Sequence, residues 1–206
     1  MSPAMNKPDV AYGNTLMTAV RTPCGWIGVA ATAQGISRII LPQKDKKAAL
    51  QCLQSGMARK AHGRRMQALS SGRLPDPSSG ENRQNDYLNK AVRLLQAYFA
   101  GDRTFFDLPI DTRYYTTFQK AVWKATSTIP FGETRSYVWI ARAIRNPKSV
   151  RAVGQALGAN PLPIIIPCHR VVNSSGALGG FGGGLMMKKK LLALETSGRQ
   201  LQRAAT

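Results

Sequence analysis

The segment Pro161-Leu162-Pro163-Ile164-Ile165-Ile166-Pro167-Cys168-His169-Arg170-Val171-Val172 constrains the fold of this chain more than any other. Three prolines bracket an apolar run. Each removes a backbone donor and pushes its predecessor out of helical space, so the pattern predicts buried extended chain rather than helix. The run is also far too short to cross a bilayer. A cysteine, a histidine and an arginine follow it directly. Burial alone raises a thiol above its ordinary pKa of about 8.5, so a nucleophilic Cys168 needs a base or a cation beside it. Successive residues of extended chain point to opposite faces, which argues against a direct Cys168–His169 contact. A turn or a bridging water would have to join them.

His169 in turn needs an acceptor to orient its ring. Between Thr134 and Thr206 the only carboxylate is Glu195. It sits near the end of a helix predicted over 185–196 and stopped at Gly198, with Lys188, Lys189 and Lys190 just before it. Two readings stay open: a partner for His169, or a surface acid screened by those lysines. Cys168 likewise reads either as a nucleophile or as an inert core thiol. The chain has three cysteines (Cys24, Cys52, Cys168) and two histidines (His62, His169), which excludes a disulfide framework and most structural zinc sites. Cys24 and Cys52 are read as packing residues, and a reducing compartment is expected.

Lys plus Arg number 29 against 10 acidic residues, a net charge of +19 on 206 residues. Such a surface favours polyanions, nucleic acid first and an anionic membrane second. Residues 111–206 carry only three of the acids, Asp111, Glu133 and Glu195, and two domains, 1–110 and 111–206, are expected. In the first, strands over 26–31 and 36–41 flank a hairpin turn at Thr32-Ala33-Gln34-Gly35. A basic insertion at about 43–86 reads as partly helical and then a mobile loop, with 74–80 breaking any regular element. Leu88, Val92, Leu95 and Phe99 then mark a helix. In the second domain Thr117 is read as the N-cap of a helix through Phe118, Val122 and Ala125, ended by Ile129-Pro130-Phe131-Gly132. A short helix over 136–144 follows. Asn146-Pro147 opens another over 148–158, with Val150, Val153 and Leu157 as its buried stripe. The pair is either a helix-turn-helix or an ordinary αα-hairpin. Small residues on its second helix (Ser149, Ala152, Gly154, Ala156) would permit close approach to a partner. Trp123 and Trp139 are read as core. Residues 1–20 hold no continuous apolar run, so no signal peptide is expected.

Pro167-Cys168-His169-Arg170-Val171-Val172, the upstream Asn146-Pro147 and Arg151-Ala152-Val153-Gly154, and the downstream Ser174-Ser175-Gly176 closely resemble the O6-alkylguanine-DNA alkyltransferases. These repair proteins move an alkyl group from a damaged base to their own cysteine. The resemblance is dense over 111–200 and weaker over 15–110. There Thr22-Pro23-Cys24-Gly25 and Tyr98-Phe99-Ala100-Gly101 look like the family's N-terminal domain, while 43–86 has no counterpart. The resemblance implies an α+β fold: a small α/β, ribonuclease-H-like N-terminal domain, then a mostly helical domain with a winged helix-turn-helix. It implies Cys168 as the acceptor thiolate, His169 as its base through a water, Glu195 as the group orienting His169, and Asn160 as a hinge. Tyr137 would push the target phosphate and then serve the flipped guanine as acid. Arg151 would fill the emptied stack, and Ser149, Ala152, Gly154 and Ser174 would lie along DNA. Leu157, Val171, Phe181, Gly182 and Gly183 would line the base pocket, with the backbones of Cys168 and Val171 reading the purine edge. The helix-turn-helix would enter the minor groove. The implied partner is duplex DNA carrying alkylated guanine, with O4-alkylthymine left open. No cofactor, metal or membrane is implied, and the chain would be monomeric and cytoplasmic, or nuclear in a eukaryote. Phe181 and the three glycines after it depart from members with tyrosine or serine in that loop.

Three other classes compete. An alkyltransferase-like lesion-binding protein would lack the cysteine. A helix-turn-helix regulator would share the charge without needing Cys168, His169 and Glu195. A Cys-His hydrolase would share the nucleophile but gain nothing from Arg151 or the charge.

Overall fold

The structure, a computed structural model, describes residues 8–12, 14–62, 77–102 and 104–204. The chain divides into two compact units, Met1–Gln96 with Phe106–Asp111, and Ala97–Phe105 with Thr112–Thr206.

The first unit is built on an antiparallel sheet in the order β1 (Val10–Tyr12), β2 (Thr15–Thr22), β3 (Gly25–Thr32), β4 (Gly35–Gln43). The β3–β4 hairpin closes where expected, with Thr32 paired to Gly35. β2 is a strand the sequence reading passed over. Its residues Leu16 to Val20 are all buried, so the alternation that marks a half-exposed strand is missing. Helix α1 (Lys46–His62) packs on this sheet through Leu53, which meets Met17 and Ala30. Gly28 permits the approach, since a Cβ there would lie 2.9 Å from Leu53 Cδ1. Truncating Leu53 to alanine would cost about 2–5 kcal/mol.

Helix α2 runs Pro77–Phe99 and buries the expected Leu88, Val92, Leu95 and Phe99. It starts earlier than expected. The break assigned to 74–80 is corrected, because 77–80 are helical: Pro77 occupies the first helical position, where its missing N–H has no bond to lose. Residues 63–76, which hold most of the expected basic loop, lie outside the described residues.

The second unit contains α3 (Thr117–Ser127), β5 (Arg135–Ser136), α4 (Tyr137–Ala143), α5 (Val150–Gly158), β6 (Val171–Val172) and α6 (Leu185–Ala204). The N-cap of α3 is Thr116, not Thr117: Thr116 Oγ1 accepts from Gln119 N, and the Gln119 side chain returns the bond. Ser136 caps α4 by accepting from Trp139 N at 3.1 Å. Arg145, at φ +57°, ends the link after α4, and a one-turn 3-10 segment, Pro147–Ser149, leads into α5. The buried stripe of α5 is Val153, Ala156 and Leu157, with Val150 only half-buried. Trp123 is buried as expected and donates Nε1–H to Ala156 O at 2.9 Å, tying α3 to α5. Trp139 is instead exposed, stacked under Arg135. α6 continues through Gly198, because one helical glycine costs only about 1 kcal/mol and does not compel a stop. No described helix is long and apolar enough to cross a membrane.

Candidate active site

The prolines do exclude helix between α5 and β6, but the chain there is folded back rather than extended. Leu162 N donates to Asn160 Oδ1 at 2.9 Å, Ile166 N to Leu162 O at 2.8 Å, and Ile164 sits at φ +79°. A β-branched residue so placed costs of the order of 1–3 kcal/mol and persists because its surroundings impose it. Cys168–Arg170 then form a single 3-10 turn. Their side chains fan out by about 120° per residue instead of alternating. The parallel pairing of Arg135 with Val171 and Ser136 with Val172 sets this turn beside the start of α4, where Tyr137 stands.

Glu195 is fully buried, which decides against the surface-acid reading. Its Oε1 lies 2.7 Å from His169 Nε2 and accepts from Tyr98 Oη at 2.7 Å and from Arg170 at 3.0 Å. Its Oε2 accepts from Arg170 Nε at 2.9 Å and from Gly132 N at 3.0 Å. Burial alone would raise this carboxyl; the hydrogen bond and charge of His169, and then Arg170, bring it down to about 2. His169 is pulled the other way: burial lowers its pKa and outweighs the support of Glu195. An anion at Nε2 requires that nitrogen to carry the ring proton. Nδ1, buried with no hydrogen-bond partner among the described residues, is then left as the basic atom.

The Cys168 thiol is buried, and Asn160 Nδ2 donates to Sγ at 3.1 Å while also donating to Ile166 O at 2.8 Å. Burial pushes the thiol up. Asn160, the backbone N–H of Cys168, the charge of Lys188 and the N–H of His169 pull it down without reversing the shift. At rest this is a protonated thiol. The Tyr137 hydroxyl donates to Gly180 O at 3.4 Å and is held above its ordinary pKa by burial and by Cys168, so it keeps its proton. Gly179, at φ +65°, lies against it: a Cβ there would be 2.9 Å from Tyr137 Oη.

Among the residues singled out from sequence, Asn160 meets Cys168 and His169 meets Glu195, the two pairs being linked through the adjacent Cys168 and His169 of one turn, and Tyr137 stands beside that turn. Val171 and Leu157 are buried, Phe181 is half-buried, and Gly182 and Gly183 are exposed beyond β6. Arg151 and Ala152 are exposed on α5, Ser149 and Gly154 are half-covered, and Ser174 is exposed. Ala156 is buried and so takes no part in that outer face. Cys24 and Cys52 are exposed, not packed, and the His62 side chain lies outside those described. Among the described residues no three His, Cys, Asp or Glu side chains are grouped to hold a metal ion.

Sequence reasoning missed Tyr98, Arg170 and Lys188. Lys188 is fully buried and donates Nζ–H to the carbonyls of Val171 at 2.6 Å, Gly180 at 3.5 Å and Leu178. A signal existed: Lys188, Leu191 and Glu195 fall at i, i+3 and i+7, one helix face, and all three are buried.

A family model described as "6-O-methylguanine DNA methyltransferase, DNA binding domain" matches residues 117–197. Its companion, the "ribonuclease-like domain", matches 15–112. A methylated-DNA–protein-cysteine methyltransferase of Mycobacterium bovis is 52% identical over 123 residues, 60% of this chain and 69% of the relative. One of Methanosarcina acetivorans is 49% identical over 112 residues, 54% and 71% of the two chains. The crystal structure of Mycobacterium tuberculosis OGT in complex with DNA superposes with a TM-score of 0.64 at 37% identity, over 88% of this chain and 93% of that one. That agreement spans both units, and with the relatives it settles the matter of descent: the chain belongs to the methylated-DNA–protein-cysteine methyltransferase family.

Proposed function

We propose that this chain repairs DNA by direct reversal, moving the alkyl group of O6-alkylguanine in duplex DNA onto Cys168 Sγ in a single turnover. The observation that carries the proposal is the buried Cys168 thiol, held by Asn160, next in sequence to an imidazole whose basic Nδ1 has no partner among the described residues and whose other nitrogen is fixed on an anionic Glu195. Neutral His169 takes the thiol proton at Nδ1 through a water. The sulfur then attacks the alkyl carbon in line, the S–C bond forms, and the C–O6 bond breaks. The guanine anion takes a proton from Tyr137, which regains one from the imidazolium. Atoms and charge balance with no cofactor, and the thioether is not reversed by thiol exchange.

Arg151 on α5 enters the stack in place of the flipped nucleotide, whose extrusion costs a few kcal/mol. Ser149, Ala152, Gly154 and Ser174 follow the backbone in the minor groove. Leu157, Val171, Phe181, Gly182 and Gly183 surround the extruded base. The charge of +19 supplies attraction to phosphate that weakens with salt. The protein acts as a monomer in the cytoplasm, or in the nucleus of a eukaryote. Intact mass after incubation with a duplex carrying O6-methylguanine tests the proposal. One added methylene on the peptide containing Cys168 is expected, and the same gain in Cys168→Ala would overturn the acceptor assignment.

A further inference from the structure

We propose that Tyr98 is a positioning residue for His169, its hydroxyl seated on Glu195 and beside Nε2 so that the imidazole keeps the tautomer and tilt that present Nδ1 to the thiol. The proposal rests on the alkyl-transfer reading and adds a residue to it.

Tyr98 lies in the last turn of α2 and is fully buried. Its hydroxyl donates to Glu195 Oε1 at 2.7 Å and sits 3.3 Å from His169 Nε2. Oε1 therefore receives Tyr98, His169 and Arg170 together, while Oε2 receives Arg170 and the Gly132 N–H. A carboxylate so supplied stays an anion without help from water. With its proton committed to Oε1, the tyrosine can meet Nε2 only as an acceptor. Nε2 then faces two acceptors, Oε1 and the phenolic oxygen, and must hold the ring proton.

Removing the hydroxyl has a calculable sign. Oε1 loses a donor, more of its charge falls on Nε2–H, and the imidazole becomes more basic. Nδ1 is then occupied by a proton at a higher pH and is less available to the thiol. The charged and titratable groups around the ring are Glu195 and Lys188 from α6, Arg170 and Cys168 from the 3-10 turn, and Tyr98 itself. The tyrosine ring makes edge-on contacts with Phe99, Phe131 and His169, centroids 5.2, 6.2 and 6.5 Å away, all of which phenylalanine retains. Tyr98→Phe thus deletes the O–H and keeps these ring contacts.

Two measurements on the full chain test this. NMR titration of the His169 ring is simple to assign because the chain has two histidines. Single-turnover transfer from duplex O6-methylguanine, followed against pH, reports the chemistry. In Tyr98→Phe, His169 is expected to titrate at higher pH, the acid limb of the rate profile to move the same way, and transfer at pH 7 to slow about tenfold, the scale of one hydrogen bond to a charged group. In a Glu195→Gln background the same change should shift neither. Fluorotyrosine at position 98, a stronger donor of similar shape, should move the titration the opposite way and serves if Tyr98→Phe does not fold. A packing role alone would lower Tm and leave the titration in place; that outcome, in a folded Tyr98→Phe, overturns the proposal. Failure of the unmodified protein to transfer would sink the alkyl-transfer reading instead, and the titration would still decide Tyr98.

Discussion

Arg151 and Ala152 stand in solvent on α5, and Arg151 makes no ion pair among the described residues. His169, Arg170 and Glu195 in the same unit are buried, each held by side-chain hydrogen bonds of 2.7–3.0 Å. On the proposed reading the first region is completed by DNA, whereas the second is already paired among the described residues, apart from His169 Nδ1. If α5 meets DNA as proposed, a surface for a deformable polymer gains from adaptable side chains. If His169 relays the thiol proton as proposed, it cannot adapt, because a small tilt of the imidazole removes the proton path. The difference teaches that binding and chemistry here tolerate substitution very differently, and this can be tested.

The largest effect should come from breaking the built region. Glu195→Gln leaves the Arg170 guanidinium buried against a neutral amide, and denaturant unfolding should show a loss of about 3–5 kcal/mol. A loss under about 1 kcal/mol, the worth of an exposed pair, would mean that the cluster is not held as described. Next, Arg151→Ala should leave stability within about 0.5 kcal/mol, as expected for a surface site. It should slow transfer from duplex DNA about a hundredfold, the scale of the few kcal/mol needed to unstack a base, and leave reaction with the free alkylated base untouched. Equal slowing on both substrates would remove its role in the stack. A third effect is in pH. The Glu195 carboxyl is lowered from 4.5 to about 2, so its contribution to stability is complete above about pH 4.5 and fades as pH falls towards 2. Acid unfolding followed by circular dichroism should show that slope in the parent protein and in Arg151→Ala, and lose it in Glu195→Gln.

Much of this was legible in the residues. The hairpin of β3 and β4, the stripe of α2 and the pair α4 and α5 follow from period and punctuation, which act over a few neighbours. So does the exclusion of helix around Pro161, Pro163 and Pro167. Boundaries failed where a local signal was weaker than its surroundings: Pro77 opened a helix instead of breaking one, and Gly198 did not end α6. β2 escaped because burial on both faces erased its alternation. Cys168 and His169 were visible as a pair of residue types, but their geometry was not, since proline excludes helix without choosing between extended chain and a folded turn.

The order of residues alone determined which groups are available: one buried-type thiol beside an imidazole, one acid in the last seventy residues, and a large excess of positive charge. Those are inventories, and chemistry limits what they can do. Whether Glu195 faces water or Arg170, whether Lys188 screens that acid or holds three carbonyls, and that Tyr98 reaches across 71 positions to meet His169 and 97 to meet Glu195, was decided only by the tertiary structure. The physical reason is that a buried charge takes whatever partners packing brings within about 3 Å, and separation along the chain does not enter that distance.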